Sequence, residues 1–213
     1  NEITIKHTYV GINYIDTYHR SGLYPLPLPT GLGMEASGEV IDIGKNVKGF
    51  NVGDRVTYVM ALGSYATHRN INAEKVVKIP EGIKEYEAAA IMLKGMTVEY
   101  LFERLFKINH SHTVLFHAIA GGVGLIACQW LKKLGARVIG TAGSVEKAAL
   151  AEKYGCDEVI LYKDKNFVKE VNDITNGCGV DVVYDGVGKD TAIFGLDCLK
   201  PLGTMVVFGN SSG

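Results

Sequence analysis

The stretch that most constrains this chain is Val114-Leu115-Phe116-His117-Ala118-Ile119-Ala120-Gly121-Gly122-Val123-Gly124. A short apolar run enters a glycine loop, and a helix-like segment, Leu125 to Leu134, leaves it, with Gly135 placed as a stop. A dinucleotide-binding βαβ unit needs that order. Its glycines let the backbone turn tightly and approach a pyrophosphate, and the helix N-terminus offers free N–H groups and a partial positive charge. Setting the last two glycines of G-x-G-x-x-G at Gly121 and Gly124 puts Ile119 where the first belongs, so the loop by itself also reads as an ordinary Gly-rich turn.

The pattern downstream of the loop favours the dinucleotide reading. Strand-like runs at 113–117, 137–141, 158–162, 181–185 and 204–208 alternate with helix candidates near 123–134, 145–154, 166–175 and 190–199. Ser144, Asp164 and Asp190 stand at N-cap positions. Such alternation with near-continuously apolar strands predicts an α/β, doubly wound parallel sheet of Rossmann type. Its ligand sites lie beyond the carboxyl ends of the strands. There the chain carries Gly121-Gly122-Val123-Gly124, then Gly143-Ser144-Val145-Glu146-Lys147, then Tyr162, then Val187, then Phe208-Gly209-Asn210-Ser211. An NAD site carries an acid about 20 residues past the glycines for the ribose 2′-OH. Ala142-Gly143-Ser144 holds none, which with Ser144 and Lys147 favours NADPH. Lys147 also reads as a solvated helix lysine.

Residues 1–92 have a different texture: short alternating strands, Gly/Pro turns and one short helical stretch, Asn13 to Gly22, predicting a compact β-rich unit or partly open barrel. Residues 93–213 form the second domain. Around the junction, Glu87–Lys94 and Met96–Phe106 read as two helices interrupted at Gly95. Five Rossmann strands are present where six are wanted. Asn1 enters a strand without an initiator Met, and Gly213 follows a loop-like Asn210-Ser211-Ser212. The expectation is a fold truncated at both ends, with its sixth strand beyond Gly213.

Composition excludes several classes. A net charge of -1 gives no footprint for nucleic acid or an anionic membrane, and no apolar run reaches the ~18 residues of a span. The four cysteines are scattered with no C-x-x-C, as expected of small buried side chains in a cytoplasmic protein rather than a disulfide framework or zinc knuckle.

Several segments taken together resemble the NADPH:quinone oxidoreductases, the zeta-crystallin-like branch of the medium-chain dehydrogenase/reductase superfamily. They are Asn13-Tyr14-Ile15-Asp16-Thr17-Tyr18, Arg20-Ser21-Gly22-Leu23-Tyr24, Gly53-Asp54-Arg55-Val56, Leu93-Lys94-Gly95-Met96-Thr97, Ala120 to Gly124 and Phe208 to Gly213. The resemblance implies a GroES-like catalytic domain followed by the NADP-binding domain, an active site in the cleft between them, and a homodimer at full length. It places Asn13, Tyr18 and Tyr24 around the nicotinamide and quinone. It adds Tyr14, Ile15, Asp16, Thr17, Tyr18, Thr97 and Tyr100 to the cofactor contacts. Each tyrosine also reads as an amphipathic core residue.

The same resemblance bears on metal. Zinc alcohol dehydrogenases of the superfamily take ligands at three places that here hold Asn13, Met34 (in Gly33-Met34-Glu35) and the Cys-free stretch Ala90–Gly95. Met is a poor zinc ligand, so the expectation is a zinc-independent enzyme. Without a Lewis acid, an acceptor that is already electrophilic is the expected substrate: a quinone, or alternatively the double bond of an enone or 2-alkenal. A non-catalytic, crystallin-like or RNA-binding role is the alternative of another class. No side chain stands out in the sequence as an essential general acid or base.

Overall fold

The computed structural model describes all 213 residues, which divide into two compact units, Asn1–Met96 and Thr97–Gly213. In the first, β1 (Glu2–Val10), β2 (Glu35–Ile43), β3 (Arg55–Val59), β4 (His68–Asn72) and β5 (Val76–Lys78) form an antiparallel sheet of order β4-β1-β2-β3-β5. Alternation in the sequence fixes which face is buried: Ile3 and Ile5 of β1 join Val40, Val56, Tyr58 and Ile71 in one core. Helix α1 (Tyr14–Ser21) comes after β1 and ends at Gly22 in the left-handed conformation, where the sequence places its stop.

In the second unit, β6 (Thr113–Phe116), β7 (Arg137–Ala142), β8 (Glu158–Leu161), β9 (Val180–Asp185) and β10 (Leu199–Val207) are parallel and ordered β10-β9-β6-β7-β8. Counted from β6, that is 3-2-1-4-5, the first five strands of the dinucleotide-binding arrangement. Helices α3 (Gly122–Leu134), α4 (Val145–Lys153), α5 (Phe167–Ile174) and α6 (Ala192–Leu196) connect them. Both faces are covered. Val114 and Phe116 of β6, with Val182 and Tyr184 of β9, enter one cluster, while Leu115 and Val183 enter the other. Each such side chain fully buried contributes about 1.5–3 kcal/mol.

The structure departs from the sequence reading at three places. A single helix, α2 (Glu85–Glu99), runs through Gly95, and the irregularity falls later, in a π-helical turn over Tyr100–Leu105. A helix interior tolerates one glycine for about 1 kcal/mol. Asn166, not Asp164, caps α5, its Oδ1 accepting from the Val168 and Lys169 N–H groups. Thr191, not Asp190, precedes α6, which has only five residues because β10 begins at Leu199. Ser144 caps α4 as expected, its Oγ accepting from the Lys147 N–H at 3.4 Å.

His117, at the end of β6, is 1% exposed. Its Nδ1 lies 3.1 Å from Thr141 Oγ1, its Nε2 has no partner, and its ring meets Phe167 edge-on. Burial lowers its pKa to about 4, against a smaller opposing pull from Asp185. In the folded chain the ring is therefore neutral where the unfolded chain would begin to protonate it. That stability is complete above about pH 6.5 and drains as pH falls toward about 4, a loss on the order of 3 kcal/mol. A melting temperature that falls from neutral pH to about pH 5 in the native chain, and falls less in His117→Gln, is the expected result.

Candidate active site

The carboxyl ends of β6 to β10 gather one half of the predicted residues. Ala118 takes the left-handed conformation (φ 53°) at the exit of β6, and the Gly121 N–H closes the turn on the Ala118 carbonyl at 2.8 Å. Gly121 then caps α3, whose first N–H groups have no partner within the helix and whose first turn carries no acid. Ile119 occupies the first fingerprint position. It is wholly buried beneath α3, and its side chain fills the room beside Gly140. Gly124 sits so close to this loop that a Cβ there would stand 2.2 Å from the Ile119 carbonyl oxygen. The result is an open, electropositive helix terminus suited to a pyrophosphate.

Past β7, Gly143, Ser144, Val145, Glu146 and Lys147 form the entry to α4, with Val145 and Lys147 exposed. The Tyr162 hydroxyl, from the end of β8, lies 2.9 Å from where a Cβ on Gly143 would be, so its half-exposed ring lies against this turn. The Glu146 carboxyl is held below its usual range, chiefly by the Ser144 hydroxyl. The sequence carries no acid within Ala142–Ser144, and Glu146, placed among the cofactor residues by its position past β7, stands in the first turn of α4. Past β9 and β10, buried Asp185 accepts from the Val187 and Gly188 N–H groups and from the Thr191 hydroxyl. The Phe208 N–H returns to the Asp185 carbonyl, and the Ser211 N–H to that of Gly186, so Val187 and Phe208–Ser211 form one knit surface. Thr97 lies near the end of α2, and Tyr100 opens the π-helical turn, packed against the core, burial raising its hydroxyl pKa.

The first unit gathers the other half. Tyr14 meets Tyr18 edge-on and Tyr24 meets it at a tilt, ring centres 5.5 and 5.1 Å apart, with Tyr18 buried in the middle. Asp16 turns back to accept the Asn13 N–H at 2.9 Å and the Tyr65 hydroxyl at 2.7 Å, while its other oxygen is buried without a partner. Burial, then this hydrogen bond, push the Tyr65 pKa up to about 12. Asn13, Asp16, Thr17 and Tyr65, with Val10 and Leu32, line a largely apolar cavity of about 480 Å³. Ile15 is half-buried on α1.

Two residues that sequence reasoning had not assigned complete this part. Glu35, fully buried on β2, accepts from Asn13 Nδ2 at 2.8 Å, from the Leu93 N–H at 2.7 Å and from Lys94 Nζ at 3.0 Å. Lys94 Nζ also donates to Asn13 Oδ1 at 2.8 Å. A Cβ on Gly11 would stand 2.2 Å from Glu35 Oε1, so glycine at that position makes room for the carboxylate. The signal was there: each of the three stretches that carry zinc ligands in metal-dependent relatives supplies one member of this cluster.

Known proteins match the chain along these same two halves. A family model for an alcohol dehydrogenase GroES-like domain matches residues 1–81, and one described as zinc-binding dehydrogenase matches residues 122–213. The quinone oxidoreductase of Pseudomonas aeruginosa is 50% identical over the whole chain, and quinone oxidoreductase 1 of Escherichia coli 52%. Over its whole length the chain is similar to quinone oxidoreductases. It spans 66% of the length of those relatives. The crystal structure of Escherichia coli quinone oxidoreductase complexed with NADPH superposes with a TM-score of 0.98, covering all of this chain and 66% of that one. A 2-haloacrylate reductase from a Burkholderia species is 43% identical, again over the whole chain and 66% of its own length.

The zinc in one family description can be tested on this donor set. An amide, a thioether and one carboxylate are a poor set for zinc, and a lysine ammonium already stands within hydrogen-bond distance of two of them. No group of three or more His, Cys, Asp or Glu side chains comes together anywhere in the chain. The residues of this quinone oxidoreductase relative do not fit the metal.

Proposed function

We propose that this chain is part of a zinc-independent, NADPH-dependent oxidoreductase that passes hydride to a quinone. The observation that carries the reading is the strand-end surface of the second unit: an open helix N-terminus at Gly121–Gly124 for the pyrophosphate, and Ser144 with Lys147 beside Tyr162 for the adenosine 2′-phosphate. The NADPH bound by the 52%-identical Escherichia coli protein supports it. When bound, NADPH supplies the hydride.

The chain's own residues do the rest. The α3 terminus and Lys147 hold negative charge. Val187 and Phe208–Ser211 contribute an ordered rim, and Thr97 and Tyr100 further cofactor contacts. In the first unit Tyr14 to Tyr18 contact the cofactor, while Asn13, Tyr18 and Tyr24 orient the acceptor beside an apolar wall. Such a wall suits a flat, uncharged ring and excludes water from it. A homodimer in the cytoplasm completes the reading. The test is NADPH consumption with a naphthoquinone against an acyclic enone, faster turnover of the quinone being expected. The 2-haloacrylate reductase relative favours the second reading, reduction of an activated carbon–carbon double bond, and preferential turnover of the enone would select it.

Lys147 gives a sharper prediction. A hydrogen bond to a charged group contributes roughly 1.5–3 kcal/mol, about ten- to hundredfold in affinity. Lys147→Ala is expected to weaken NADPH binding by about that factor and leave NADH nearly unchanged, as read by fluorescence titration. An unaltered NADPH/NADH ratio would refute the 2′-phosphate assignment. Removing the nearby carboxylate with Glu146→Gln is expected to tighten NADPH, more at low salt than at high.

A further inference from the structure

The Asn13–Glu35–Lys94 cluster has more organisation than a stray ion pair. Glu35 is wholly buried, whereas the Lys94 side chain keeps 20% of its exposure, so the lysine is the partner that retains contact with solvent. Three side chains 22, 59 and 81 residues apart close a ring: Asn13 donates to Glu35, and Lys94 donates to both. The carboxylate's other oxygen is tied to the Leu93 N–H, on the same helix that carries Lys94. An ammonium has three donors, and these contacts engage two. Asn13, whose oxygen fixes the ammonium, is itself part of the wall of the apolar cavity.

We propose that Lys94 is a catalytic residue whose ammonium, clamped by Glu35 and Asn13, occupies the place of the metal in zinc-dependent relatives and donates its remaining N–H to the acceptor oxygen that becomes negative as hydride arrives. The proposal rests on the NADPH–quinone reading above. The electron pair that arrives with the hydride leaves NADP⁺ behind and moves through the quinone onto its carbonyl oxygen. A proton from solvent then completes the hydroquinone, and Lys94 keeps its three protons throughout. A fixed cation already oriented by its neighbours needs no rearrangement as that charge forms, and removal of one such donor typically costs about 10²–10³ in kcat.

Lys94→Met alone would strand a buried carboxylate and could unfold the chain. The decisive variant is therefore the double substitution Glu35→Gln/Lys94→Met, which leaves no unpaired charge, with Lys94→Arg as the conservative partner. Two readouts are taken. In steady-state kinetics the double variant is expected to lose about 10²-fold in kcat while NADPH affinity changes by less than about threefold, and Lys94→Arg to recover part of the loss. In the second readout, without cofactor, bound 4-nitrophenol serves as a coloured mimic of the oxyanion. Its ionisation is expected at lower pH on the native protein than in solution, with that shift lost in the double variant. A folded double variant with kcat within about threefold of native, or a nitrophenol titration that native protein does not shift, would overturn the proposal. If native protein fails to turn over quinones, the function proposed above falls, and the nitrophenol titration still decides the role of Lys94.

Discussion

Gly124→Val is expected to abolish NADPH binding and to lower the melting temperature by about 10 °C or more. The reason is the approach of α3 to the loop beneath it. A Cβ at this position would lie 2.2 Å from the Ile119 carbonyl oxygen, 2.5 Å from its carbon and 2.7 Å from its Cα. All three are backbone atoms of a residue that is itself fully buried and hydrogen-bonded through its N–H to the Thr141 carbonyl, so none can swing aside as a side chain would. The helix must move out, and with it the N–H groups proposed to hold the pyrophosphate. Overpacking of this kind costs about 3 kcal/mol or more. Gly124→Ala meets the same atoms with one methyl group and should show a smaller version of both effects. Thermal denaturation and cofactor titration of the two variants check this, and a Gly124→Val protein that binds NADPH normally would mean that α3 does not sit where the structure puts it.

The second large effect concerns Glu35. Its carboxylate, itself fully buried, accepts from Asn13 Nδ2, Leu93 N and Lys94 Nζ. Glu35→Ala removes the acceptor of all three bonds and leaves a partly buried ammonium uncompensated, a change that costs about 3–5 kcal/mol. Glu35→Gln retains the shape and an oxygen but not the charge, and should cost roughly half as much. Urea denaturation of both variants reads the difference directly. Equal stability of Glu35→Ala and the native chain would show that the cluster contributes nothing to the fold.

Features that depend on neighbours in the chain could be read from the sequence. The glycine loop, the alternation of β6 to β10 with their helices, the Ser144 cap and the Gly22 and Gly135 stops are all local, and the 3-2-1-4-5 order comes from them through the handedness of βαβ connections. Gly95 misled because a glycine stops a helix only where the backbone must turn left-handed, and α2 passes through it without doing so. Asn166 and Thr191 were missed because Asp164 and Asp190 are equally good capping residues, and only the packing of the helix beyond decides between them. The three stretches that supply the Asn13–Glu35–Lys94 ring could be located in the sequence, but not that they close on one another. The ring's members are joined by the sheet that brings β2 beneath the start of α1, and by α2 returning to both. Glu146 illustrates the reverse case: its place in the sequence was plain, but its hold on Ser144 appears only once α4 is built.

The strand-end surface of the second unit should prefer the phosphorylated cofactor, and the proposed reaction depends on that preference. A ligand that binds only the folded state raises its stability by mass action, by about 2.7 kcal/mol at a concentration one hundred times its dissociation constant. The most direct measurement is therefore the melting temperature of the protein in equal, saturating-range concentrations of NADPH and of NADH. A clear rise with NADPH and little or none with NADH is predicted. An equal rise with both, or a larger one with NADH, would contradict the assignment of Ser144 and Lys147 to the 2′-phosphate and, with it, the cofactor from which the hydride is drawn.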